Sequence, residues 1–152
     1  MKRINLIHIL CLIIITFITA PVNIFAQEHP AEHPQDKAAL NPETLAKEIK
    51  QYVNNESKLK GGYFLLYDDK SETPLVLTLD KVHKERLSKV SDDLYFACSD
   101  FKGTDGKNYD VDFFMKKTGT ELKLTELTVH KINGKARYTW YEDKGVWKQK
   151  EK

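Results

Sequence analysis

The chain has 152 residues, with 24 Lys and Arg against 22 Asp and Glu, a formal net charge of +2 and an isoelectric point near 8.4. Two of those bases, Lys2 and Arg3, lie in the first 26 residues, and the 126 residues that follow carry 22 charges of each sign. Beyond residue 26 the formal charge is zero and Cys98 is the only cysteine, which excludes a general nucleic-acid or polyanion binder and any intramolecular disulfide.

Residues 1–26 predict a secretory signal peptide. Lys2 and Arg3 precede an apolar run from Ile4 to Ala20, with Asn5 and His8 among its few polar residues. Pro21 makes Ala20 a poor cleavage point, whereas Ile24 and Ala26 fit the peptidase's pockets, so the cut falls after Ala26. Leu10 is too bulky for the lipobox that a lipid-modified Cys11 would need. The alternative is an uncleaved anchor reaching Ala26, but the apolar core is shorter than the roughly 20 residues of a bilayer span. The expected location is periplasmic or secreted, with no stable membrane insertion after cleavage.

Residues 27–41 read as a flexible polar linker interrupted by Pro30 and Pro34, and they contain the repeat "QEHPAEHPQDK". Cleavage after Ala26 would expose Gln27-Glu28-His29. A free amine, two backbone amides and the His29 imidazole can surround Cu(II) or Ni(II) in a square plane, with His33 as a further ligand. The competing reading is a solubilising spacer that binds no cofactor.

Asn41-Pro42-Glu43 predicts a helix start: a capping side chain, a proline at the first helical position and an acid at the positive helix end. Leu45, Ile49, Tyr52 and Val53 recur at helical spacing, and Gly61-Gly62 ends the element. After Gly62 the pattern is that of strands. Tyr63–Tyr67 and Leu94–Phe101 are continuous apolar runs, and Leu75, Leu77 and Leu79 alternate with Val76, Thr78 and Asp80. Tyr109, Val111, Phe113 and Met115 alternate with Asp110 and Asp112, which predicts one covered face and one wetter face. The parity change from Leu122 and Leu124 to Leu127 and Val129 predicts a bulge near Thr125-Glu126. Arg137–Tyr141 is a final aromatic strand. Asp105-Gly106 and Asn133-Gly134 are hairpin turns, and no long crossover intervenes, so the sheet is antiparallel. The expectation is an α+β roll over residues 42–148, one N-terminal helix packed on a curved antiparallel sheet of five or six strands, with 149–152 as a polar tail.

This element order resembles that of cystatin-like and nuclear-transport-factor-2-like rolls, which also pack leading helices on a curved antiparallel sheet. The Gln-x-Val-x-Gly segment of inhibitory cystatins does not occur here. The stretches "KVHKERL", "YFACSDFKGTDGKNYDVDFF" and "VHKINGKARYTW" are similar to those of small exported bacterial proteins without an established function. That resemblance implies export and a compact domain, and it carries no active residues onto this chain.

The chemistry-bearing residues each have a plain reading. Cys98, within an apolar strand, is expected to be a buried small hydrophobe. His83 and His130 share the contexts "KVHK" and "TVHK", but in a simple meander they fall toward opposite ends of the sheet. Asp110 and Asp112 share a strand face, and Asp100 joins them if the Asp105-Gly106 hairpin is in register. Paired acids can do acid–base work, but with Lys102, Lys107 and Lys116 nearby a solvated charged face is expected. Tyr138, Trp140, Tyr141 and Trp147 serve either core closure or a ligand or partner surface.

The chain contains no nucleophile elbow, phosphate loop or HExxH pair. The expected function is therefore a small exported non-enzymatic binding or accessory protein, acting on an envelope protein or a small ligand. The alternative is a periplasmic Cu(II)/Ni(II)-binding protein using Gln27, Glu28, His29 and His33. A third is a roll-type enzyme with a pocket between helix and sheet. The intact mass of protein from a cell-envelope fraction should correspond to a chain starting at Gln27; a full-length species retained in the membrane would establish the anchor instead.

Overall fold

The computed structural model describes residues 40–144 and 146–152. The predicted signal peptide 1–26 and the linker through residue 39, with Gln27, Glu28, His29 and His33, lie outside the described residues. Helix α1, Pro42–Ser57, begins where the sequence predicts. The Asn41 side chain accepts a hydrogen bond from the Glu43 backbone N–H at 2.9 Å, and Pro42 has no N–H to satisfy. Leu45, Ala46, Ile49 and Val53 form its buried stripe, while Lys47 and Lys50 are exposed. Gly61 and Gly62 take φ of 66° and 87°, values that side-chain-bearing residues rarely adopt, and turn the chain into the first strand.

The strands are β1 (Phe64–Asp68), β2 (Thr73–Val82), β3 (Ser88–Lys89), β4 (Leu94–Gly103), β5 (Asn108–Thr118), β6 (Glu121–Ile132), β7 (Lys135–Ala136), β8 (Tyr138–Asp143) and β9 (Val146–Glu151). Six of them pair antiparallel in the order β1-β2-β4-β5-β6-β7, and β3 adds to β4. The six-stranded sheet is strongly curled, a half-barrel with α1 packed against it, so the α+β class and the curved sheet are as the sequence predicts. Against the helix stand Phe64, Leu77, Phe101, Val111 and Phe113, and the Phe64 and Phe101 rings stack at 5.5 Å. Each such side chain adds about 1.5–3 kcal/mol by leaving water.

The predicted bulge is present. Phe114 pairs with Glu126 and Met115 with Leu124, which leaves Thr125 extra. A second bulge was not legible in the sequence: Asp110 pairs with Lys131 and Val111 with Val129, so His130 is the extra residue.

The chain's end departs from the predicted meander. Strand β7 lasts two residues, Arg137 leaves the sheet, and β8 pairs with β9 as a separate hairpin that runs to Glu151, within the predicted tail. The physical reason is that the sheet's second face is also apolar. Phe96, Cys98 and Phe114 need cover, and Tyr138 and Trp140 from one side of β8 provide it, with Trp140 edge-on to Phe96 at 5.3 Å. Ile49→Ala should cost about 2–5 kcal/mol in urea melts by opening a cavity under the helix. Lys47→Ala should stay within about 0.5 kcal/mol; equal losses would mean that the helix packs through a different face.

Candidate functional site

Strand alternation places Cys98 and Asp100 of β4 on the hairpin side of the sheet, and register sets Cys98 opposite Asp112 and Asp100 opposite Asp110. The predicted company of the three acids is therefore real, but the predicted solvated face is not. Asp112 is 0% exposed and Asp110 7%, because the β8–β9 hairpin and the segment His83–Arg86 cover them. Buried carboxylates need donors. The Tyr138 hydroxyl donates to Asp112 Oδ2 and accepts from Thr128 Oγ1 at 2.8 Å, and the Cys98 thiol donates to Asp110 Oδ1 at 2.5 Å. Arg86 Nη1 and Lys131 Nζ each stand 4.0 Å from Asp110 Oδ2. Burial, and then the charges of Asp110 and Asp112, push the Cys98 thiol pKa well up, so Cys98 is buried as predicted and is no thiolate nucleophile.

The two histidines do not fall toward opposite ends. Strand β2 stops halfway along β4, since Val82 pairs with Ser99, and His83 N–H donates to the Cys98 carbonyl at 3.0 Å. His83 bonds Asp100 Oδ2 at 2.7 Å through Nε2 and Glu85 Oε1 at 3.0 Å through Nδ1. Burial alone would lower its pKa, but hydrogen bonds to Asp100 and Glu85 outweigh burial and the net shift is upward; the same contact holds Glu85 down at about 2. His130, lifted by its bulge, reaches the other two acids from β6: its Nδ1 lies 4.0 Å from Asp110 Oδ1 and 3.9 Å from Asp112 Oδ2.

The aromatic set divides. Tyr138 and Trp140 are 2% and 4% exposed and close the second core, with Trp147 partly buried against it, so packing claims them; Tyr141 is exposed on the opposite side of β8. Around the curl, Asp68 at the end of β1 meets Arg137. Nη1 donates to Oδ1 at 2.6 Å and Nη2 to Oδ2 at 2.7 Å, with Ser71 Oγ on Oδ2 at 2.5 Å. The Arg137 hydrogen bonds, chiefly, hold the Asp68 carboxyl below the usual range. Clefts flank this pair. One of about 910 Å³ is lined by Lys70, Ile132, Gly134, Lys135, Ala136, Arg137, Glu151 and Lys152; a second, of about 430 Å³, reaches from Asp68 to Tyr109. Between helix and sheet, by contrast, Leu45, Ile49, Phe101 and Phe113 are at most 1% exposed and fill the space that a roll-type pocket would use.

Comparison with protein families, with curated proteins and with solved structures found no match. Among the described residues no helix is long and apolar enough to cross a membrane. Sequence reasoning missed Asp68, Arg86, Lys131 and Arg137. One signal was present: in a chain rich in lysine, Arg86 and Arg137 are the only arginines after Arg3, and arginine is the cation suited to buried, two-pronged carboxylate pairing.

Because Asp68's folded pKa is depressed, its stabilising contribution is present above the ordinary aspartate value of about 4 and is lost as pH falls through the lower folded value. Asp68→Asn should therefore flatten the loss of stability below about pH 4 in denaturant melts run across a pH series. Arg137→Met should cost about 3–5 kcal/mol at neutral pH by leaving a buried carboxylate unpaired. An unchanged acid slope in Asp68→Asn would remove Asp68 from that role.

Proposed function

We propose that this chain is a small exported binding protein, non-enzymatic, that takes a small anionic ligand in the cleft where the turn after β1 meets β7 and the end of β9. The observation that carries the reading is the lining of that cleft: Lys70, Lys135, Arg137 and Lys152 against one carboxylate, Glu151, over an apolar patch from Ile132 and Ala136. Lys70 and Arg137 are each already on a carboxylate, so the charge that raises the local concentration of anions and offers charge-assisted hydrogen bonds comes chiefly from Lys135 and Lys152. Lys70 is tied to Glu151 and Arg137 to Asp68, which holds two of the four in place before any ligand arrives.

Export is supported by the charge and hydropathy pattern of residues 1–26. Binding is favoured over catalysis because the groups with chemical capacity are withdrawn from solvent: Cys98 and Asp112 are fully buried, and the Tyr138 hydroxyl is held far above its ordinary pKa by burial and by Asp112.

The test is a nuclear magnetic resonance titration of the mature protein with inorganic phosphate, citrate and a sulfated disaccharide. At least one should shift the amides of Gly134–Arg137 and Lys70, more weakly at higher salt, and Lys135→Glu should reduce its affinity about tenfold or more. Unperturbed amides with all three, or affinity indifferent to Lys135→Glu, would reject this site.

A further inference from the structure

His83 is a buried histidine held on both sides by acids, and it shares no residue with the cleft. Its side chain is only 7% exposed, with Nε2 at 2.7 Å from Asp100 Oδ2 and Nδ1 at 3.0 Å from Glu85 Oε1. A neutral imidazole has one N–H and one lone pair, so it can donate to only one of two carboxylates. Its other nitrogen would then aim a lone pair at an oxygen lone pair within hydrogen-bond distance. With both acids ionised, only the imidazolium satisfies both contacts, through an N–H on each nitrogen.

The other charges near the ring leave that choice standing. On the same turn, Arg86 opposes the ring's charge, but its Nη1 stands toward β5, 4.0 Å from Asp110 Oδ2. Lys84 is paired with Glu43 of α1, and Lys81 of β2 with Glu85 at 3.1 Å. From β4, Cys98 Sγ lies within 4.8 Å of a ring nitrogen and an Asp100 oxygen. It stays a neutral thiol, since burial holds its pKa well up and it donates to Asp110. Burial lowers the His83 pKa, but the hydrogen bonds to Asp100 and Glu85 outweigh it, and the folded value lies above the ordinary 6.5.

The ring's position gives these bonds a consequence. His83 caps the 3-10 turn Lys84–Arg86, its own N–H donates to the Cys98 carbonyl at 3.0 Å, and its carbonyl accepts from Arg86 N–H at 3.2 Å. Asp100 belongs to the sheet and Glu85 to the turn, so the imidazole is the bridge between them. We propose that His83 is a pH-sensitive latch: as the imidazolium it fastens the turn to β4 through Glu85 and Asp100, and on losing its proton it releases Glu85 and loosens the turn. The proton leaves from Nδ1 to solvent, the ring keeps Nε2–H on Asp100, and the exposed Glu85 carboxylate turns to water. Because the folded pKa is raised, the latch contributes fully below about 6.5 and is lost as pH rises through the higher folded value. The turn is thus fastened in acid and freed toward alkaline pH.

The experiment follows the mature protein by nuclear magnetic resonance from about pH 5 to pH 9, reading the His83 ring protons and amide exchange. His83 should titrate above 6.5. Through that midpoint the amides of His83 and Arg86 should lose protection about tenfold or more, after correction for base catalysis of exchange, while those inside β4 and β5 keep theirs. Glu85→Gln separates a latch from a merely structural histidine. A glutamine accepts from the imidazolium and donates to the neutral ring, so the turn should stay fastened throughout and the step in protection should vanish. The midpoint should also fall, because a neighbouring negative charge is gone. A midpoint at or below 6.5, protection that does not change through it, or an unaltered step in Glu85→Gln overturns the proposal.

Discussion

The two-pronged ion pair of Asp68 and Arg137 joins residues 69 apart in sequence and ties the first strand to the point where the chain leaves the sheet. A half-barrel has two edges, and here β1 and the short β7 are those edges. The pair holds them at a fixed distance without letting them hydrogen-bond, which leaves the clefts on either side open. An apolar pair at the same place would draw the edges together by burying area. Two charges that must each keep their hydrogen bonds instead set a geometry. Arg137 also stands between β7 and β8, so the same residue that pins the curl marks where the sheet stops and the hairpin begins.

That hairpin decides the character of the second face. A curved sheet covered by one helix would leave its other side to water, and the alternation of Asp110 and Asp112 with Val111 and Phe113 suits such a sheet. Covering it with Tyr138 and Trp140 traps the acids inside. Each trapped carboxylate then needs a donor, and the Tyr138 hydroxyl of β8 and the Cys98 thiol of β4 supply one each, while Arg86 of the 3-10 turn and Lys131 of β6 stand 4.0 Å from Asp110 as counter-charges. Burial of this kind contributes little net stability, since the desolvation cost offsets the attraction, but it penalises any register in which the donors miss. The second bulge fits this constraint, because it is what turns His130 toward the acids.

The helix, its cap, the antiparallel order, the Thr125 bulge and both tight turns were legible because each depends on local chemistry: an Asn-Pro-Glu start, alternation of period two, a parity change, an Asp-Gly and an Asn-Gly pair. What could not be read depends on contacts far apart in the chain. Val146–Glu151 has one tryptophan and otherwise polar alternation, too weak a pattern to announce a strand, and it is held by pairing with β8. Whether Asp112 is wet or buried is decided by a hairpin more than 20 residues later, which no window around Asp112 contains. The separation expected between His83 and His130 failed for a simpler reason. Strand lengths differ, so the end of β2 lies level with the middle of β4 and not with its tip.

Three backbone groups connect the clefts with the buried cluster. Arg137 N–H donates to the His130 carbonyl at 2.9 Å, the Arg137 carbonyl accepts from Lys152 N–H at 3.0 Å, and the Tyr138 carbonyl accepts from His130 Nε2. Residues 137 and 138 therefore face opposite ways from one stretch of chain, the guanidinium toward the open seam and the phenol toward the buried acids. Arg137, bonded to Asp68, is thus directly followed in the chain by the root of β8, whose hydroxyl bonds Asp112. The seam and the cluster therefore share one stretch of chain, Arg137 between β7 and β8 and Tyr138 at the start of β8.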